Sequence, residues 1–366
     1  MSASLHSATS HATSHTTTSA AHGIRHSQRL PSIAELRARL PLSPALSQQI
    51  QRHRDAVRAV LRGEDTRLLV IAGPCSLHDP AAALDYGARL AALADELRDS
   101  LLIVMRAYIE KPRTTVGWKG LIYDPHLDGS HDMVAGLDVS RRLLRDLAGL
   151  GLPLATELLH PMAAGYVDDL LSWAAIGART TESQVHREMV SALNLPVGFK
   201  NSTDGSVSVA VDAMGAAAHG HRHFGVDAQG HPAMLEATGN PDTHLVLRGG
   251  NDGPNYHAAS LAQAQAALAQ AGVNPRLLVD CSHANSGKNP DNQPAVLRAL
   301  LAQRRAGQQA IAGVMLESHL QHGRQSADAA SQEDLVYGMS ITDGCLGWDS
   351  TAALLREVST QTGPDR

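Results

Sequence analysis

Four residues far apart in this 366-residue chain, Cys75, His283, Glu317 and Asp343, are of types that hold metal ions. A thiolate, an imidazole and two carboxylates together suit a divalent first-row ion such as manganese, iron or cobalt, and are too soft a set for magnesium alone. Four cations, Arg106, Arg179, Lys200 and Arg248, each follow a short apolar run. Gathered at one rim of a protein whose formal net charge is −5, they would repel one another unless an anionic ligand neutralised them. A further basic stretch begins at Arg106 and runs through Lys111, Pro112, Arg113, Thr114 and Thr115 to Gly117 and Gly120. Guanidinium forks and hydroxyls both match phosphate oxygens, and the proline fixes the backbone between two of the cations.

These groups need elements that bring them together, and the apolar pattern supplies them. Eight runs of strand length end nearly always in a reactive residue. They are Leu68–Gly73 before Cys75, Leu101–Met105 before Arg106, Leu152–Thr156 before Glu157, Ala174–Ala178 before Arg179, Pro196–Phe199 before Lys200, His244–Leu247 before Arg248, Leu277–Val279 before Asp280 and His283, and Ile311–Leu316 before Glu317. Helical periodicity lies between most of them, as in Ala81–Asp99, Val139–Leu150 and Ala262–Ala271. The pattern predicts an α/β fold, a (β/α)8 TIM barrel, whose strand ends converge on one mouth. Closure makes strand eight the neighbour of strands one and seven, so the four metal-ligand types can meet.

Around the barrel, residues 1–28 read as a disordered tail rich in Ser, Thr, Ala and His, including His6, His11, His15, His22 and His26. Residues 29–66 read as a helical arm outside the barrel, with a capping-box pattern at Ser32-Ile-Ala-Glu35 and a second helix over Ser43–Leu61 stopped near Gly63. The barrel is expected over 67–358, with an inserted β-hairpin at about 221–237 and a C-terminal tail over 359–366. With 43% hydrophobic and 18% charged residues the composition is that of an ordinary soluble enzyme. No run approaches the roughly 18 apolar residues that span a bilayer, and no basic stretch interleaved with aromatics suggests nucleic acid. Cys75, Cys281 and Cys345 are too few for a disulfide scaffold, so a cytoplasmic location is expected.

The ordered set Gly73-Pro-Cys75-Ser-Leu-His-Asp79, Glu110-Lys-Pro-Arg-Thr114 through Gly117-Trp-Lys-Gly120, Gly177-Ala-Arg-Thr-Thr-Glu-Ser-Gln184, Pro196-Val-Gly-Phe-Lys-Asn201, Leu247-Arg-Gly-Gly250, Asp280-Cys-Ser-His-Ala-Asn285, Glu317-Ser-His319 and Ser340-Ile-Thr-Asp343 resembles the type I class of 3-deoxy-D-arabino-heptulosonate 7-phosphate (DAHP) synthases. The likeness runs from about residue 60 to 356. It implies a transferase at the first step of the shikimate pathway, condensing phosphoenolpyruvate with erythrose 4-phosphate and water and releasing phosphate. It also implies that Arg106, Lys111, Gly177, Ala178, Arg179, Lys200 and Arg248 bind phosphoenolpyruvate. Lys111, Pro112, Arg113, Thr114 and Asp343 would bind erythrose 4-phosphate, while Cys75, His283, Glu317 and Asp343 would hold one divalent metal ion. Lys111, Glu157 and His283 would be catalytic, with Glu157 orienting the attacking water.

A related eight-carbon sugar acid synthase is disfavoured, because its class carries Lys-Ala-Asn-Arg where this chain has Lys111-Pro-Arg-Thr114. A Schiff-base aldolase using Lys200 is a second enzymatic alternative. A non-catalytic amino-acid sensor on the same barrel is the third, and it has no use for a complete set of metal and substrate residues. The resemblance further implies a homodimer or homotetramer with feedback inhibition by an aromatic amino acid, tyrosine favoured. The effector site would involve the arm and hairpin, with Leu193, Asn194, His223, Gly225 and Leu235. Gly225 is similar to the tyrosine-sensitive class, where the phenylalanine-sensitive class carries serine, whereas His223 replaces the aromatic residue expected beside it.

Overall fold

A computed structural model describes residues 23, 24, 26–327 and 334–362. Most of the expected tail lies outside these residues, as do four of its five histidines. Residues Pro31–Arg366 form one unit. Within it, all eight apolar runs become parallel barrel strands, with ends shifted by one or two residues in places. The strands are β1 (Leu68–Gly73), β2 (Leu101–Arg106), β3 (Leu154–Glu157), β4 (Trp173–Ile176), β5 (Val197–Lys200), β8 (Thr243–Leu247), β9 (Leu277–Asp280) and β10 (Ile311–Glu317). They close in the order β1-β10-β9-β8-β5-β4-β3-β2. Register aligns Gly73 with Glu317 and Met315 with Asp280, so β1, β9 and β10 end within about two residues of one another at the same mouth.

Every barrel strand is buried along its whole length, as expected for parallel strands covered on both faces. Leu69, Ile71, Leu102, Val104, Ala155, Trp173, Ala175, Val246, Leu278 and Ala312 share one apolar cluster. The same cluster contains Val57, Val60 and Leu61 of helix α2 (Pro44–Arg62). The second helix of the arm is therefore part of the barrel's core, which corrects the expectation that it stands outside. Its apolar face buries Ile50, Val57, Val60 and Leu61, and Gly63 ends it in the left-handed conformation at φ 80°.

Helix α1 (Ile33–Arg39) begins with the expected capping box, Ser32 and Glu35 each accepting the other's backbone N–H. Its start also meets the hairpin of β6 (His221–Val226) and β7 (Pro232–Ala237), because the Ala34 N–H donates to Ala228 O at 2.8 Å. Helix α5 (Pro161–Val167) holds α1 from the other side: Tyr166 Oη donates to Pro31 O at 2.7 Å and Arg37 to Gly165 O at 2.7 Å. Behind them Arg141, on α4 (Met133–Gly149), is fully buried and donates to both oxygens of Asp169 at 2.8 Å, to Tyr166 O and to Leu40 O. At the far terminus α10 (Trp348–Thr362) continues past 358, so residues 359–362 are helical and not tail.

One buried carboxylate positions the loop after β2. Glu110 accepts from the N–H groups of Leu159 and His160, at the start of α5, and from Tyr123 Oη at 3.2 Å. Beside it Lys111 N donates to Lys119 O at 2.8 Å, which closes the base of the loop. Burial, reinforced by the charge of Glu157, pushes the Glu110 carboxyl up to about 7.

Two predictions follow from these contacts. Arg141→Ala strands Asp169 and two backbone carbonyls around a cavity, and should cost about 3 kcal/mol in denaturant unfolding; a loss below about 1 kcal/mol would show that the clamp is not needed. For Glu110, the folded state retains a proton that the unfolded chain releases above its ordinary value near 4.5. Its contribution to stability therefore falls as pH rises from that value through 7. Glu110→Gln removes this loss, so its stability relative to the parent should climb between pH 5 and pH 8, by up to about 3 kcal/mol. Parallel stability–pH curves for the two proteins would contradict the assignment.

Candidate active site

At the C-terminal ends of the strands lies a cavity of about 300 Å³. Its wall contains Arg106, Lys111, Pro112, Arg113, Thr114, Glu157, Gly177, Ala178, Arg179, Lys200, Arg248, His283, Glu317 and Asp343, so the structure brings together every proposed substrate residue. Eight lysines and arginines line it against three carboxylates. Such an excess in a partly enclosed space favours polyanionic ligands. Glu157 leans over β4 in a way that requires Gly177, since a Cβ there would lie 2.1 Å from Glu157 Oε1.

Cys75, Glu317 and Asp343 place one ligand atom each within 4.8 Å of one another. The thiol donates to Asp343 Oδ2 at 3.5 Å. The Lys111 ammonium donates to Cys75 Sγ at 2.7 Å and to Asp343 Oδ2 at 2.9 Å. Burial, with Glu317 nearby, pushes the Cys75 thiol up to about 12 despite Lys111. Burial works against ionisation of Asp343 too, but the ammonium beside it wins and holds the carboxyl well below its usual range. One soft and two hard donors, packed together and needing a cation, fit a first-row divalent ion.

His283 stands outside that 4.8 Å group, though it lines the same cavity. Its Nδ1 lies 3.0 Å from Asp280 Oδ2 and 2.7 Å from Ser282 Oγ, and its backbone has φ 55°. A carboxylate on Nδ1 is the arrangement that leaves Nε2 as the ligating atom of a metal-binding histidine.

Asp280 also receives Lys200 Nζ at 2.8 Å, with both side chains almost fully buried. Burial disfavours each charge, yet Lys200 and His283 hold the carboxyl well below its usual value, and Asp280 raises the ammonium above its own. Lys200 therefore keeps its proton, and its lone pair is not available for the Schiff-base alternative. Arg106 is paired with Glu317 at 3.2 Å, donates to Pro74 O and Cys75 O, and stacks 3.5 Å from the Tyr108 ring centroid. Arg179 donates to Thr114 Oγ1 at 3.1 Å, linking the β4 end to the loop after β2. Arg248 is presented by a buried amide network: Asn201 Oδ1 accepts its N–H at 2.8 Å, and Asn255 joins Asn201 to Gly249 N.

Sequence reasoning assigned no role to Asp280, Glu110, Asn201 or Asn255. Asp280, Glu110 and Asn201 stand inside the motifs that carried the resemblance, which was a usable signal. Asn255 had none, because asparagines are common in loops.

The effector residues are only partly brought together. His223, Gly225 and Leu235 share the less exposed face of the hairpin, and a Cβ on Gly225 would lie 2.4 Å from Leu235 Cδ1, so a serine would force Leu235 aside. His223 Nδ1 is 3.1 Å from Phe224 O, while Nε2 is buried without a hydrogen bond. Asn194 accepts from Arg58 of α2 at 2.9 Å. Leu193 is buried.

Residues 44–356 match the DAHP synthetase I family. The chain is 53% identical over 324 residues to the Tyr-sensitive phospho-2-dehydro-3-deoxyheptonate aldolase of Escherichia coli (strain K12), covering 88% of this chain and 90% of the relative. It is 50% identical over 330 residues to the Phe-sensitive enzyme of the same organism, covering 90% and 93%. A solved phospho-2-dehydro-3-deoxyheptonate aldolase from Francisella tularensis SCHU S4 superposes with a TM-score of 0.90 at 39% identity, over 93% of this chain and 98% of that one. With its motifs in one cavity and the match spanning the barrel, the chain belongs to the DAHP synthetase I family.

Proposed function

We propose that this protein condenses phosphoenolpyruvate with erythrose 4-phosphate and water to give the seven-carbon keto sugar acid phosphate and inorganic phosphate. The observation that carries the reading is the cation-rich cavity set directly against the Cys75, Glu317 and Asp343 cluster. Cys75, Glu317 and Asp343, with His283 as a fourth ligand, would hold a divalent ion there, and that ion would supply Lewis acidity toward the aldehyde oxygen. Arg106, Lys200, Arg179 and Arg248 hold the carboxylate and phosphate of phosphoenolpyruvate, with the Gly177 and Ala178 backbone beside them. Lys111 reaches both substrates, and Pro112, Arg113 and Thr114 bind the aldose phosphate. As C3 attacks the aldehyde, positive character develops at C2, and Glu157 orients the water that adds there. Fixing two reactants in register removes several kcal/mol of barrier without covalent help from the protein.

The three cysteines are free and buried, which agrees with a cytoplasmic enzyme. Among the described residues no helix is long and apolar enough to cross a membrane. Regulation by tyrosine, or by another aromatic end product, fits the direct contact of α1 with the hairpin. Phe224, fully exposed opposite Met234, supports association of copies into a dimer or tetramer through the outer hairpin face.

Coupled assay of chelator-treated protein should show no turnover, with manganese, iron or cobalt restoring it and Cys75→Ala remaining folded but inactive. Undiminished turnover in metal-free buffer would overturn the metal assignment. Removing residues 1–42 spares α2 and should abolish inhibition by aromatic amino acids while leaving the condensation active. A truncated enzyme as sensitive as the full chain would place the effector elsewhere.

A further inference from the structure

Two cations in the cavity wall have no role in the reading above. Lys288 follows β9, in the loop after a short 3₁₀ turn, and Arg324 follows β10. Both side chains are exposed, and among the described residues neither takes part in a side-chain hydrogen bond or ion pair. The other cations of the deep wall are committed: Arg106 to Glu317, Lys111 to Asp343 and Lys200 to Asp280. Asp291, the acid of the neighbouring turn, lies 3.6 Å from His322 Nε2.

Their placement is specific. Arg324 bridges by its backbone to Ser340, three residues before Asp343. The Lys288 loop packs on the same segment, since a Cβ on Gly344 would lie 3.2 Å from the Pro290 ring. The two cations thus line the cavity from the β9–β10 side, on loops that meet the Ser340–Gly344 segment, whereas Arg113 lines it from the loop after β2. Lys288 also adopts φ 62°, a conformation that glycine or asparagine takes more cheaply, and its N–H turns back to His283 O at 2.7 Å. A side chain kept at that cost needs a use.

Charge gives the use its sign. With the deep cations facing a carboxylate and a phosphate and Lys111 shared between the substrates, Arg113 is the one cation of that reading left wholly to a second phosphate monoester, which carries about two negative charges near neutrality. We propose that Lys288 and Arg324 form a second anion subsite at the rim, which takes a phosphate dianion beside Asp343. Two sources share this chemistry, the phosphate end of the incoming aldose phosphate and the inorganic phosphate that leaves. The subsite deepens the proposed condensation and rests on it.

The test compares the metal-loaded enzyme with Lys288→Gln, Arg324→Gln and the double variant, whose exposed positions leave the thermal melt unchanged. If the subsite receives the aldose phosphate, KM for erythrose 4-phosphate rises about tenfold in the double variant, kcat moves less than twofold, and the dependence of kcat/KM on ionic strength flattens. If it receives the product, the inhibition constant of inorganic phosphate rises by a similar factor instead. KM for phosphoenolpyruvate stays put in both cases. Calorimetric titration of parent and double variant with inorganic phosphate reads the subsite without turnover, so failure of the condensation itself would be seen separately. Unchanged erythrose 4-phosphate KM, unchanged phosphate inhibition and unchanged titrations together would overturn the proposal.

Discussion

The buried pair of Lys200 and Asp280 is the interaction on which the rest of the site depends. Removing either charge from water costs several kcal/mol, and their attraction compensates only because the second oxygen of Asp280 is also occupied, accepting from Ser282 N and lying 2.7 Å from Ser282 Oγ. What the pair secures is placement. Asp280 orients the Lys200 ammonium with the same oxygen that lies 3.0 Å from His283 Nδ1, so one carboxylate sets the geometry of a cation of the cavity wall and of His283. Loss of Asp280 would leave Lys200 charged among Arg106, Arg179 and Arg248 with no counter-ion beneath it.

The same economy recurs on either side. Glu317 serves Arg106 and belongs to the cluster with Cys75, while Asp343 serves Lys111 and belongs to that cluster too. Each of these carboxylates therefore faces a buried cation of the cavity wall and the Cys75 thiol at once. Charge changes in the cluster must be felt by Arg106 and Lys111, because these cations, Cys75 and Glu317 are buried where screening by solvent is weak, with Asp343 at their exposed edge. This gives a physical basis for binding the two substrates and the ion as an interdependent set, with a tight barrel core bearing the cost of the gathered charge.

The barrel was legible because its strands are short, wholly apolar and each followed by a reactive residue, a pattern set by burial on both faces and solvent at one end. The substrate wall was legible for the same reason. Three things were not. The role of α2 was hidden, since an amphipathic helix reads alike whether its apolar stripe caps a barrel or lies on its flank, and only Val57 and Val60 inside the core cluster decide it. Asn194 is drawn to Arg58 by a tertiary contact 136 residues away in sequence. His283 depends on a left-handed backbone and on Asp280, neither of which its spacing from Cys75 or Glu317 reveals.

The arm and the active-site loop are joined by hydrogen bonds that pass through one short helix. Pro31 and Arg37 meet the end of α5 at Tyr166 and Gly165, and the start of α5 donates through Leu159 and His160 to Glu110. Glu110 directly precedes Lys111, whose N–H closes the loop bearing Arg113 and Thr114. Helix α5 has only seven residues, so its two ends form a short lever between these contacts. A ligand that shifts the arm against the hairpin shifts this lever, and the loop at its other end carries two of the cavity's cations. Coupling of this kind requires that the effector favour one of two loop positions, not merely bind between arm and hairpin. The near-neutral titration of Glu110 supplies a second influence on the same joint, so proton and effector would act on one loop through one carboxylate.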